Sequence, residues 1–318
     1  MNPQKHRVTV PKSLRTIRLA PSPNCMGLLP RLAWLLLLAL GATYPLAAAT
    51  LTVTNLNDSG PGTLRQSIAD AAPGDTVNFA LNGTITLTSG ELGINTNLII
   101  SGPGATNLSV TANFNSRVFN ATGGTNVIAG LTIAKGFAGS ISPEIFDNGG
   151  GIKNSTTLVL NNCILATNLA YGGDGGGVFN TGILTVSNCS FTGNIGVSGG
   201  GVENRNVTII TGSTFSGNST AADGDGGGIN NSGGTLIIRD SILSGNEAVG
   251  SSGGGIFNGG TMTVTNCIFS GNQAQRGDPA GGGAIYNQGV STVTDSTLSS
   301  SFALLGGVYL QRRYICAQ

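Results

Sequence analysis

A six-residue signature recurs six times between residues 149 and 287, and it constrains the fold more than any other feature. The copies are Gly149 to Asn154 (GGGIKN), Gly175 to Asn180 (GGGVFN), Gly199 to Asn204 (GGGVEN), Gly226 to Asn231 (GGGINN), Gly253 to Asn258 (GGGIFN) and Gly282 to Asn287 (GGAIYN). Their start-to-start spacings are 26, 24, 27, 27 and 29 residues. Repeats of this length identify stacked architectures, in which each unit buries its apolar face only against its neighbours. Each copy is followed by an alternating stretch such as Leu184-Thr185-Val186 or Met262-Thr263-Val264, and period-2 alternation means strands rather than helices.

A second segment then closes each unit: Cys163 to Asn168 (CILATN), Cys189 to Asn194 (CSFTGN), Ser213 to Asn218 (STFSGN), Ser241 to Asn246 (SILSGN) and Cys267 to Asn272 (CIFSGN). The sixth copy, Ser296 to Ser301, ends in Ser instead of Asn. About three short strands and three turns per unit are expected. The predicted fold is therefore all-β, a right-handed single-stranded parallel β-helix with a short N-terminal capping helix, right-handed because parallel crossovers are. Equivalent residues then stack at about 4.8 Å. Ile152, Val178, Val202, Ile229, Ile256 and Ile285 form one inward apolar column, and Leu165, Phe191, Phe215, Leu243 and Phe269 another.

The Asn at the end of each signature reads as turn chemistry plus a hydrogen-bonded ladder, since Asn tolerates left-handed turn angles and stacked amides pair along an axis. The column Cys163, Cys189, Ser213, Ser241, Cys267, Ser296 marks a small inward side chain. Cys163 and Cys189 fall on adjacent rungs, which leaves open a disulfide or two buried thiols.

Composition excludes several classes. Gly supplies 52 of 318 residues, but in clusters and with only 11 Pro, which is not the strict every-third pattern of collagen. All 14 acids and nine of the 15 bases lie after residue 50, so the body is acidic and offers no phosphate-tracking surface; nucleic acid is not an expected partner.

Residues 1–49 read as an address. Basic residues precede the apolar run Leu32 to Ala49, which ends in Ala47-Ala48-Ala49, the pattern of a secretory signal peptide. The basic lead is long, and Met26 offers an alternative start. Cleavage after Ala49 leaves no membrane-spanning segment in the mature chain and predicts a secreted or outer-membrane-associated cell-surface location; the alternative is a retained transmembrane helix. Residues 50–74 form the expected cap, with Leu64, Ile68 and Ala72 on one helical face. Residues 75–301 form the helix of rungs, degenerate as far as 137. Residues 302–318 are expected to form an irregular tail with no polar lid; either they fold over the last rung or, the favoured reading, the natural chain continues further.

The segment Gly282 to Ile285 and the Phe-x-x-Asn stretches (Phe191 to Asn194, Phe215 to Asn218, Phe269 to Asn272) resemble the paired short motifs of the polymorphic outer-membrane protein repeats. The stretch Thr52 to Ile68 resembles the cap of bacterial surface proteins with right-handed β-helix repeats. Many of those carry Cys-Ser-Leu-Arg-Glu-Ala where this chain has Gly62-Thr63-Leu64-Arg65-Gln66-Ser67. The resemblance spans nearly all of 50–301. It implies a β-helix displayed on or released from a bacterial surface, with an adhesive role. The outer-membrane family's C-terminal barrel is not part of the resemblance.

Pectate lyases and polygalacturonases share the β-helix, but a fold is not a function. The sequence after residue 50 has no His. The closest acid pair is Asp223 and Asp225, just before a glycine triplet, and Asp174 holds the same pre-glycine position in another rung, with Asp147 and Asp278 near equivalent loops. Stacked, Asp174, Asp223 and Asp225 are candidate calcium ligands; as turn residues they need no ligand. No other cofactor is implied. Arg205 and Arg239 are the nearest bases. The primary expectation is a non-catalytic, adhesin-like rod that binds an extracellular polysaccharide or surface protein. The alternative is a secreted polysaccharide lyase or glycoside hydrolase. Any function must reside in the outward positions Lys153, Phe179, Glu203, Asn230, Phe257 and Tyr286 and in the acidic loops.

Overall fold

The computed structural model describes residues 47–141, 144–221, 223–275, 281–303 and 309–311. The expected signal segment, apart from its last three residues, lies outside the described residues, as do Asp278 and the cysteines at 25 and 316. No helix among the described residues is long and apolar enough to cross a membrane.

The chain coils as a parallel β-solenoid of about 9 turns with almost no helix, right-handed as expected. Each regular rung contributes four strands, not three. In the rung that starts at Ile152 they are Ile152–Asn154, Thr157–Asn161, Ile164–Ala166 and Leu169–Ala170. They belong respectively to a nine-stranded "asparagine" sheet, a ten-stranded long sheet, a second nine-stranded sheet and a seven-stranded short sheet. The two-residue strands of the short sheet escape a periodicity reading because alternation needs more than one repeat to be seen. Pairing is in register from rung to rung, for example Ile152 with Val178, Val178 with Val202 and Val202 with Ile229. Both expected apolar columns point inward and are buried throughout. The rings of Phe191 and Phe215 stack at 4.4 Å with 6° between their planes.

The three residues of each glycine triplet have separate reasons to be small. The first takes a left-handed φ, from +60° at Gly199 to +73° at Gly149. At the second, a Cβ on Gly227 would sit 2.4 Å from the Glu247 carbonyl group of the next rung. At the third, a Cβ on Gly201 would sit 2.5 Å from the Gly228 carbonyl oxygen.

The asparagine ladders are present, but their turn chemistry differs from expectation. In the asparagine sheet Nδ2 donates to the next rung's Oδ1 from Asn154 to Asn180 (2.7 Å), Asn180 to Asn204 (3.0 Å), Asn204 to Asn231 (2.7 Å), Asn231 to Asn258 (2.6 Å) and Asn258 to Asn287 (2.5 Å). A second ladder runs from Asn168 through Asn194, Asn218 and Asn246 to Asn272. None of these asparagines has a left-handed φ. That conformation falls instead on the preceding residue of the second ladder (Thr167, Gly193, Gly217, Gly245, Gly271) and on Asn162, Asn188, Asp240 and Asn266 between the long and second sheets. The first ladder's amides take part in the turn through their side chains instead: Asn154 Oδ1 accepts from the Thr156 amide and Asn180 Oδ1 from the Gly182 amide, each two residues on, while the same amides bond across rungs.

Cys163, Cys189 and Cys267 are buried free thiols. They continue the small-residue column: the Cys163 amide donates to Cys189 Sγ (3.3 Å), and the Cys189 amide to Ser213 Oγ (3.1 Å).

At the N-terminal end, helix α1 (Leu64–Asp70) follows the first strand, β1 (Thr50–Val53). Thr63 caps it, accepting from the Gln66 amide at 3.3 Å. Leu64 is buried, with Ile68 and Ala71 packed on the core; the helix stops at Asp70, two residues short of Ala72. Asp58 fastens this cap to the solenoid. It pairs with Arg65 (2.8 Å) and accepts from the amides of Thr88 and Ser89. Beyond residue 301, two strands still follow the coil: Phe302–Ala303 pairs with Gln273–Ala274, and Tyr309–Gln311 with Ile285–Asn287.

Candidate functional site

The outward column of the asparagine sheet is Lys153, Phe179, Glu203, Asn230, Phe257 and Tyr286, each in register with the next. Alternation requires these side chains to leave the core, yet four of the six are covered: Phe179 is 4% exposed, Glu203 1%, Asn230 6% and Tyr286 3%. Period-2 alternation fixes their direction and carries no information about this burial. Arg205 lies over Phe179, and Arg205 and Ser232 close on Glu203; beside them the loops leading into the glycine triplets form a wall, tied to the sheet by the Lys153–Asp147 and Arg205–Asp174 pairs.

That wall is hydrogen-bonded from rung to rung. Asn148 Oδ1 accepts from the Asp174 amide (2.7 Å), and Asp174 Oδ1 from the Ser198 amide (3.1 Å). Asp225 Oδ1 accepts from the Ser252 amide (3.2 Å) and from Ser251 Oγ (2.5 Å). Asp174 and Asp225 thus share one column, as the sequence suggested, but the rung of Ser198 lies between them. Asp223 sits beside it at a left-handed turn (φ +58°), exposed. Among the described residues, no three His, Cys, Asp or Glu side chains converge as a metal-ligand group. What the sequence grouped as an acidic edge is here a ladder of side-chain acceptors under backbone N–H groups.

The wall also carries the bases. Arg117, 5% exposed, lies between Glu91 and Asp147 (2.5 Å to the latter), and Lys153 Nζ approaches Asp147 at 2.9 Å. Burial opposes ionisation of Asp147, but Lys153, the Asn148 amide and Arg117 together hold its carboxyl below the usual range. Arg205 reaches Asp174 Oδ2 (2.6 Å) and Glu203 Oε1 (3.2 Å), and its guanidinium lies 4.8 Å from the centre of the Phe179 ring. Arg239 is exposed at the end of a long-sheet strand and takes no part.

Glu203 is the centre of this arrangement. Oε1 accepts from Ser232 Oγ at 2.7 Å as well as from Arg205. Oε2 is buried and has no hydrogen-bond partner among the described residues; neither does Oδ1 of Asn230, the next residue in the column. Buried acceptors are rarely left so, because desolvation without a partner costs about 1–3 kcal/mol. Burial, reinforced by the nearby Asp174, pushes the Glu203 carboxyl up to about 7. Further along, Phe257 and Tyr286 stack with centroids 5.5 Å apart. The floor is therefore aromatic and acceptor-bearing, and the rim, with Arg205 at 47% exposure and Asp174 at 20%, is charged and reachable.

No protein-family model matches the chain, so the resemblance to the polymorphic outer-membrane repeats stays a resemblance of motifs, and no curated protein matches it. Solved structures similar to it include a pectate lyase, Pel9A, at 12% identity over 78% of this chain and 78% of that one, with a TM-score of 0.46. A protein of Geobacillus virus E2, ORF18, is similar at 12% identity over 83% of this chain and 61% of that one, with a TM-score of 0.36. An alginate lyase from Paenibacillus sp. strain FPU-7 is similar at 11% identity over 82% of this chain and 99% of that one, with a TM-score of 0.34. Likenesses this distant transfer neither substrate nor mechanism.

Proposed function

We propose that this chain is an extracellular polysaccharide-binding β-helix whose ligand lies along the outer face of the asparagine sheet. The observation that carries the reading is the pair of unpartnered buried oxygens, Glu203 Oε2 and Asn230 Oδ1, side by side in a column that also holds Phe179, Phe257 and Tyr286. A third such oxygen, Asn78 Oδ1, stands by itself among the described residues, whereas these two fall on paired positions of one column, which stacking alone does not call for. A saccharide chain supplies donors at regular intervals and apolar ring faces for aromatic floors. The apolar run before residue 50 supports export, and the regular rungs offer an extended ligand repeated contacts.

Cleavage of the bound chain is a second reading, with its own support. A carboxyl displaced to about 7 exchanges its proton near neutral pH, the property needed of a general acid or base. Asp174, linked to Glu203 through Arg205, supplies a second carboxylate.

Retention of the full-length protein in gels containing individual polysaccharides tests the binding reading. Wild type should be retarded by at least one, and Phe257→Ala should weaken that retention about tenfold, the cost of losing one aromatic contact. Retention by none, or equal retention of the variant, would remove the proposal. Accumulation of reducing ends or unsaturated sugars, lost in Glu203→Gln, would promote the second reading over simple binding.

A further inference from the structure

The outward column of the asparagine sheet and the loop wall beside it, together called the furrow, have a charge and a hydrogen-bonding polarity that narrow the ligand class. Among the described residues, six carboxylates stand beside the asparagine sheet, Glu91, Asp147, Asp174, Glu203, Asp223 and Asp225, against three bases, Arg117, Lys153 and Arg205. The bases are committed: Arg117 and Lys153 to Asp147 and Glu91, Arg205 to Asp174 and Glu203. A polyuronate would bring carboxylates into a net-negative furrow whose cations are already paired. With Glu203 ionised, the two free groups on the floor, Glu203 Oε2 and Asn230 Oδ1, are both acceptors, so they call for donors.

We infer that the furrow recognises a polysaccharide with free amino groups, an amino-sugar polymer, whose ammonium seats between Glu203 and Asn230. This rests on the polysaccharide-binding reading above. An ammonium offers three donors and a positive charge on the side of Glu203, Oε2, that Arg205 leaves without a partner. It meets both orphan oxygens at once, where a neutral hydroxyl offers one donor. Aromatic faces flank the position, Phe179 on the preceding rung and Phe257 on the following one, and both attract a cation. Arg205 already shows that a cation settles here: its guanidinium rests on Phe179 and against Glu203. Arg205 covers Glu203 and Phe179. It is half exposed and holds Glu203 by a 3.2 Å contact but Asp174 by one of 2.6 Å. An incoming ammonium displaces the looser contact, and Arg205 stays anchored on Asp174.

The test is a binding titration of the full-length protein with four soluble probes: a glucosamine oligosaccharide with free amines, its N-acetylated counterpart, a neutral glucan and a polyuronate. The free-amine probe should bind at least tenfold tighter than its acetylated form, and its affinity should fall with added salt. Glu203→Gln, which keeps the shape and removes the charge, should abolish that tenfold preference, whereas Asp240→Asn, at an exposed turn elsewhere, should leave it intact. Equal affinity for free and acetylated probes, or tighter binding of the polyuronate, overturns the amino-sugar assignment and leaves the polysaccharide reading standing. Equal loss in Asp240→Asn also overturns it, because attraction to the acidic body in general then suffices. Binding of none of the four overturns the polysaccharide reading itself. Should Glu203→Gln fold poorly by circular dichroism, Asn230→Ala takes its place, with the same required loss of preference.

Discussion

Asn218 Oδ1 accepts two hydrogen bonds from Asn194, one from its side-chain Nδ2 at 2.9 Å and one from its backbone amide at 3.1 Å. Asn218 Nδ2 in turn donates to Phe191 O and to Asn246 Oδ1. One buried amide thus satisfies groups on both neighbouring rungs. Asn218→Ala orphans several of them together and should destabilise the fold by about 3 kcal/mol or more. The ladder's last member behaves differently, because Ser301 Oγ serves the Asn272 amide (3.3 Å) where another Asn would stand. Asn272→Ser should therefore cost less than half as much. Urea unfolding of both variants ranks them, and equal costs would mean that the ladder is not read rung by rung.

The glycine triplets make a steric prediction. A Cβ on Gly227 would lie 2.4 Å from backbone atoms of Glu247, a neighbour that cannot retreat without breaking the sheet. Gly227→Ala should cost about 3 kcal/mol or more, among the largest single-residue effects in the chain. Gly245 has a left-handed φ of +60° but open space around its Cβ position. Gly245→Asn should cost about 1 kcal/mol, the strain of the backbone alone. Thermal unfolding of the pair separates crowding from backbone preference.

Phe215 lies in an inward column that its own neighbours have already varied, with Phe191 on one side and Leu243 on the other. Phe215→Leu should cost about 1 kcal/mol, since the column packs leucine elsewhere. Phe215→Ala leaves a cavity that strands tied on both sides cannot close, at about 3–5 kcal/mol. A Phe215→Ala variant as stable as Phe215→Leu would show that the rungs collapse more freely than a continuous solenoid allows.

The coil was legible because its information is local and repeated. The triplets, the inward stacks and the amide columns each recur at one rung's spacing, and the register follows from aligning them. The fourth strand was not legible, since Leu169–Ala170 and its relatives are too short to alternate. The furrow was only half legible. Period 2 turned Glu203 outward, and it was the only acid in its column. Its burial depends on Ser232 and Arg205 arriving from other positions, and on loops of unequal length that no periodicity describes. The acids grouped by sequence, Asp174 and Asp225, share a column as expected, but the intervening rung of Ser198 keeps them apart.

Glu203 and Asp58 give opposite pH signatures in windows that do not overlap. Burial alone would raise the Asp58 carboxyl, but the Arg65 guanidinium and the Thr88 amide carry it down to about 2, from 3.8. Its stabilising share is present above 3.8 and is lost as pH falls toward 2. Glu203 runs the other way. Its carboxyl rises from 4.5 to about 7 on folding, so between those values the folded chain holds a proton that the unfolded chain releases. Stability therefore declines as pH climbs through that window, by about 3 kcal/mol if the whole shift is realised. Glu203→Gln, permanently uncharged, should remove the decline and be the more stable protein at pH 7. Unfolding midpoints measured every half unit from pH 4 to 8 decide this. A wild-type profile that stays flat while Glu203→Gln gains nothing at pH 7 would mean that the carboxylate already has its cation in solution.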